Sequence, residues 1–178
     1  TLTLGVARNY LEIDGNFFHP TTLLRDSRQG VMAQEFPLFN YSIAALWQLF
    51  GEHNWIFRLF NLLIATLGLF AFSRIVRRLA DESTALYSTV LFGVSVAFVY
   101  ARKAMPDVFA VSLVLAGVDY GWRYLESKKW AHLAAFGSIA ALGMLCKMPA
   151  VCTLAFIVAP ILHYKESWKE RITLSGIS

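Results

Sequence analysis

The sequence predicts an all-α, polytopic helical membrane protein, and three observations carry that prediction. Of its 178 residues 57% are hydrophobic and only 16% charged, where an ordinary soluble domain carries about a quarter charged residues. Mean hydropathy is +0.51. The apolar residues gather into long runs, and about 20 such residues at 1.5 Å each cross the hydrocarbon core of a bilayer. Aromatic content is 15%, and Trp and Tyr settle at the headgroup level.

Residues 1–54 are expected to form an extracytoplasmic, interfacial segment with amphipathic helices. It opens polar with scattered aromatics and turns apolar in "EFPLFNYSIAALWQLFG". The charge-free stretch 36–50 is too short to cross, so an interfacial or re-entrant helix is expected, with Pro37 accommodated in its first turn. Residues 55–164 are expected to be a membrane bundle of about five helices, at 56–76, 83–101, 108–124, 130–146 and 148–164. Only "KMP" at 147–149 separates the last two. Pro149 disfavours helix in the residue before it, which predicts a tight hairpin there. Residues 165–178 are expected to be a cytoplasmic tail leading into a further C-terminal part. No Met opens the chain and no signal-peptide pattern follows, so the expectation is an internal piece of a longer protein.

Net charge is +4 and the isoelectric point near 9.2. The cations sit in short clusters between apolar runs, as membrane topology requires, and no nucleic-acid partner is expected. One set of short loops holds Arg74, Arg77, Arg78, Arg123, Lys128, Lys129, Lys165, Lys169 and Arg171; the other holds Arg102, Lys103 and Lys147. Nine against three makes the first side cytoplasmic and turns residues 1–54 outward. The expected location is a prokaryotic inner or plasma membrane. Cys146 and Cys152 have no CxxC or metal spacing, and the four His residues show no ligand pattern.

The stretch "YARKAMPDVFAV" (100–111) places cations on the side where the charge rule disfavours them. Asp107, the Arg102–Lys103 pair and Lys147 gather at the predicted outer surface, where Glu35 and Arg8 from the first segment can join them. Cations there suit a phosphate. An acid would orient or deprotonate a hydroxyl, or hold a divalent cation bridging to phosphate oxygens. Simpler readings stand beside these. Asp107 follows Pro106 and can cap a helix; Arg102, Lys103 and Lys147 can snorkel to headgroups; Glu35 can open a helix. Asp119 lies four residues before Arg123, which reads as a local ion pair.

"VARNYLEIDGNFFHP", "EFPLFNYSIAALWQLFGEHNWIFRLFNLLIA", "YARKAMPDVFAV" and "LGMLCKMPA" follow one another in the order of glycosyltransferase family 39. That family is the dolichyl-phosphate-mannose protein mannosyltransferase-like group, and the sequence resembles it over about residues 3–165. The segment from Glu35 to Arg58 is the most specific part. The resemblance implies a GT-C fold and an inverting hexosyl- or pentosyltransferase of the cell envelope, with its active site at the outer membrane face. Its donor would be a polyprenyl-phosphate sugar and its acceptor a lipid, glycan or protein. By that likeness Asp107 and Glu35 match acidic catalytic positions and Lys147 a lysine near the lipid phosphate. Arg102, Lys103 and Arg8 would assist in substrate binding. One departure stands out: relatives carry an Asp just before the A-R-N-like stretch, where this sequence reads "TLTL". The base then lies upstream of Thr1 or has been altered, and the isolated 178 residues are expected to be inactive. A divalent cation remains an open expectation. The alternatives are a secondary transporter or flippase for an anionic lipid, with ionisable groups near the bilayer midplane, and a non-catalytic membrane scaffold.

Overall fold

The computed structural model describes residues 2–13, 15–22, 30–31, 36–95, 103 and 105–155. Helix α1 (Leu2–Glu12) buries Val6, Ala7, Asn9 and Tyr10 and packs against the helix that follows it. Between them lies a departure from the purely helical expectation, a two-residue antiparallel ladder of β1 (Thr21–Thr22) and β2 (Gly30–Val31). Side chains of α1 hold this part of the chain extended. Asn9 donates through Nδ2 to the Thr21 carbonyl at 2.7 Å, and the Tyr10 hydroxyl donates to the Phe17 carbonyl at 2.9 Å.

Helix α2 (Leu38–Phe50) turns Phe39, Ile43, Ala44 and Trp47 inward, one stripe at helical spacing. Pro37 caps it rather than entering its first turn, a one-residue correction. Thirteen residues give about 20 Å, short of the roughly 30 Å hydrocarbon core, so the length agrees with an interfacial or re-entrant element. Gly51, at φ 84, ends α2 in a backbone region that a side chain would strain.

Helix α3 (Asn54–Leu79) is the described helix long and apolar enough to cross a membrane. Leu62, Leu63, Leu67 and Phe70 are exposed along it, the arrangement of a wall facing lipid. Arg77 and Arg78 close its last turn, where cations complement the helix dipole. Asp81 then caps α4 (Glu82–Gly93), accepting from the Thr84 amide at 3.0 Å and from the Thr84 hydroxyl. Those bonds, the hydroxyl's first, hold the Asp81 carboxyl below its usual range.

Helix α5 (Pro106–Ser127) packs against both α3 and α6 (Trp130–Cys146). It runs parallel to α3, since Phe109 meets Phe60, Ser112 meets Gly68 and Asp119 meets Arg78 in the same order along both helices. Eleven of its 22 residues are buried, so neighbours rather than lipid surround it and charged side chains are tolerated. Small residues set the spacing. A Cβ on Gly68 would lie 2.4 Å from the Ser112 Oγ and 2.8 Å from its Cα; one on Gly143 would lie 2.8 Å from the Ala110 carbonyl oxygen. Lys128, at φ 54, and Lys129 make the two-residue turn into α6.

Two expected spans need correction. The helix expected over 83–101 closes at Gly93 among the described residues, and 96–102 lie outside them. The segment expected as a helix from 148 begins as a 3-10 helix (Met148–Leu154), and 156–178 lie outside the described residues. Pro149 supplies no amide to continue an α ladder, and the Ala150 amide closes a three-residue turn on the Lys147 carbonyl at 3.0 Å.

Candidate functional site

Asp107 is the second residue of α5 and Lys147 stands in extended conformation between α6 and the 3-10 helix. The antiparallel packing of α5 on α6 brings these two ends together, with the Lys147 Nζ 3.7 Å from the Asp107 Oδ1. The carboxylate is about half exposed (52%) and the ammonium less so (29%). Asp107 does not occupy the cap position, which belongs to Met105, and this corrects the capping alternative. Its charge lies in the first turn, where the helix dipole favours it.

Two anchors hold neighbouring segments at this end. Buried Asn61 of α3 donates through Nδ2 to the Lys103 carbonyl at 3.2 Å, and the Met105 amide donates to the same oxygen at 2.9 Å. The Phe36 amide donates to the Leu145 carbonyl at 3.4 Å, bringing the entry to α2 to the end of α6. Phe39, Phe60 and Phe109 pack their rings 5.3–6.2 Å apart, joining α2, α3 and α5.

The other expected site residues divide. Lys103 is exposed at the same end. Glu35 and Arg102 lie outside the described residues. Arg8 is exposed on α1 and its charged partners among the described residues are Glu52 and Glu12. The hydrogen bond with Glu52 raises the Arg8 pKa further. Among the described residues no group of three or more His, Cys, Asp or Glu side chains is placed to hold a metal ion. At this end the described residues supply one carboxylate, that of Asp107, paired with Lys147.

A second cluster of charge lies toward the opposite end of α5. Asp119 is buried, and its carboxylate meets Arg78 through Nη1, Arg123 at 3.0 Å and Arg74 at 3.6 Å. Arg78 also pairs with Glu126 at 2.9 Å. The local Asp119–Arg123 pair was legible in the sequence, whereas Arg74 and Arg78 were not assigned to it. Their own four-residue spacing, near the end of a helix lying beside an acid-bearing one, was the available signal.

The family model described as dolichyl-phosphate-mannose-protein mannosyltransferase matches residues 34–177. The chain belongs to this mannosyltransferase family. No curated protein and no solved structure matches the chain. The match covers the Glu35–Arg58 segment, the Asp107 hairpin and the Lys147 junction, and leaves residues 1–33 outside it. The mannosyltransferase family is one of membrane glycosyltransferases, and a transferase rather than a transporter or scaffold is the class it supports. Membership, together with α3, makes this a membrane protein.

Proposed function

We propose that the chain forms part of an inverting GT-C glycosyltransferase that moves a sugar from a polyprenyl-phosphate donor to an acceptor hydroxyl or amine at the outer membrane face. The observation that carries this reading is the Asp107–Lys147 pair at the opposite end of α5 from the arginine cluster, in a chain of the mannosyltransferase family. Lys147 would hold the donor phosphate, with Lys103 and Arg102 adding positive potential. The acceptor oxygen or nitrogen attacks the anomeric carbon, the bond from that carbon to the phosphate oxygen breaks, and polyprenyl phosphate leaves with the electron pair. Stabilising that leaving charge is the electrostatic help that dominates such steps. Once the phosphate engages Lys147, Asp107 is released to orient the acceptor and take its proton. Glu35, the second acid, would assist from the entry to α2.

Lys147→Ala is expected to weaken donor binding by about tenfold to over a hundredfold, the worth of a charge-assisted hydrogen bond. Titration of a polyprenyl-phosphate sugar into purified full-length protein measures it. Unchanged affinity would reduce Lys147 to a headgroup contact.

Orientation follows from the nine-to-three cation bias, part of which rests on Lys165, Lys169 and Arg171 outside the described residues. We place about five crossings in the bundle, residues 1–54 outside, and a prokaryotic plasma membrane as the location. Met105 and Ser127 are exposed at the two ends of α5, about 33 Å apart along its axis. Single cysteines there, in a background lacking Cys146 and Cys152, are expected to label from opposite sides of the membrane. An impermeant reagent should reach position 105 on intact cells. Labelling at 127 alone would invert the topology and move the site to the cytoplasmic face.

A further inference from the structure

Three arginines surround Asp119, and two carboxylates, Asp119 and Glu126, answer them. Among the described residues one positive charge is left over. Each guanidinium carries five N–H donors, while a carboxylate accepts about four hydrogen bonds, so donors remain on the outer edges of the cluster. Arg78 is the most committed, bound to both acids and 19% exposed. Arg74 is the loosest: its pair spans 3.6 Å, beyond hydrogen-bond length, and its side chain is one-third exposed. Arg74 and Arg123 approach the same oxygen, Oδ2 of Asp119, so one carboxylate oxygen draws both guanidiniums to it.

An aromatic ring lies beside each of them. The Arg123 guanidinium lies 4.8 Å from the centre of the Tyr120 ring and that of Arg74 lies 5.6 Å from the centre of Phe70. Two guanidiniums drawn to one oxygen at one end of a membrane bundle, with surplus donors and surplus charge, match a tetrahedral phosphate oxyanion. In a membrane protein the phosphate available at that level is a lipid headgroup, and basic pockets between helices take such headgroups.

We infer that Arg74 and Arg123 form a phosphate site for an anionic phospholipid of the leaflet opposite the Asp107–Lys147 pair. The site rests on the chain's place in a membrane and not on the donor reading, so the two stand or fall separately. Asp119 is part of the device: it holds the two guanidiniums close without neutralising them.

The test compares the purified full-length protein in vesicles of phosphatidylcholine alone and of phosphatidylcholine mixed with phosphatidylglycerol. The anionic lipid is expected to raise the thermal midpoint by about 2–4 °C, and phosphatidylglycerol should remain bound on gentle extraction, read by native mass. Arg74→Gln should lose most of the rise while keeping the wild-type midpoint in phosphatidylcholine, because Arg78 and Arg123 still hold Asp119. Arg74→Lys should keep part of it. If inorganic phosphate added to the phosphatidylcholine sample reproduces the rise and the Arg74 dependence, the site takes soluble phosphate and the lipid source is replaced. Equal midpoints in the two lipids with no bound phosphatidylglycerol, or an Arg74→Gln protein that responds as wild type does, would overturn the site.

Discussion

Asp107→Asn in the full-length protein is expected to lower sugar transfer by at least about a hundredfold, the scale of general acid–base assistance, with stability close to wild type. The placement of Asp107 separates the two readouts. Met105 holds the cap position, so the substitution removes no capping hydrogen bond. What the fold loses is a first-turn charge, worth about 0.3–1 kcal/mol, and a pair with Lys147 that is about half exposed on the acid side and worth about 0–1 kcal/mol. Asparagine keeps the shape and a carbonyl oxygen but takes no proton and carries no charge. Turnover of a polyprenyl-phosphate sugar beside a thermal melt of the same preparation gives the answer. Wild-type transfer by the asparagine variant would leave Asp107 as a surface partner of Lys147 and remove it from the chemistry.

Asp119→Ala is expected to cost about 3 kcal/mol of stability, near the low end for removing one partner of a buried charge group. The reason is what remains. Arg74, Arg78 and Arg123 would face one another with only Glu126 to answer them, and of the ion pairs described between α3 and α5 at this end only Arg78–Glu126 would remain. The arginines are 19–33% exposed and can swing toward the headgroups, which keeps the cost from the upper end of the range. Arg78→Ala is expected to cost less, because Asp119 keeps Arg123 beside it on α5. A melt of both variants in the same lipid decides it. Equal midpoints for wild type and Asp119→Ala would mean that the cluster adds nothing to helix packing.

The sequence spoke clearly where one helix met lipid. Residues 54–79 are apolar because hydrocarbon surrounds much of their surface, and the expected span differs from α3 by two residues at its start and three at its end. Asp107 and Lys147 were legible for a related reason: each breaks an apolar stretch, and alternating loops put both breaks on one side. Their contact across α5 and α6 confirms that shared end, though not their chemistry. The 3-10 turn after Lys147 was less legible, since an apolar run with a proline near its start fits a helix as well as a tighter coil. The α3 side of the Asp119 cluster was missed because a short-range explanation was available. Arg123, four residues away, satisfied the acid on paper, while Arg74 and Arg78 were already explained as cytoplasmic markers. A pair 41 residues apart has no periodic signal to give it away.

The parallel course of α3 and α5 has a consequence for how the chain enters its membrane. A lone aspartate near the centre of a crossing helix is disfavoured by about 2.5–3.5 kcal/mol. Asp119 lies eight residues before Ser127 at the end of α5, about 12 Å along the axis, so in a crossing α5 it would incur part of that cost. Arg74 and Arg78 are synthesised before it and lie against it in the fold. An α5 inserted after α3 would then find the partners of its acid already in place, and the order of codons would do part of the work of assembly.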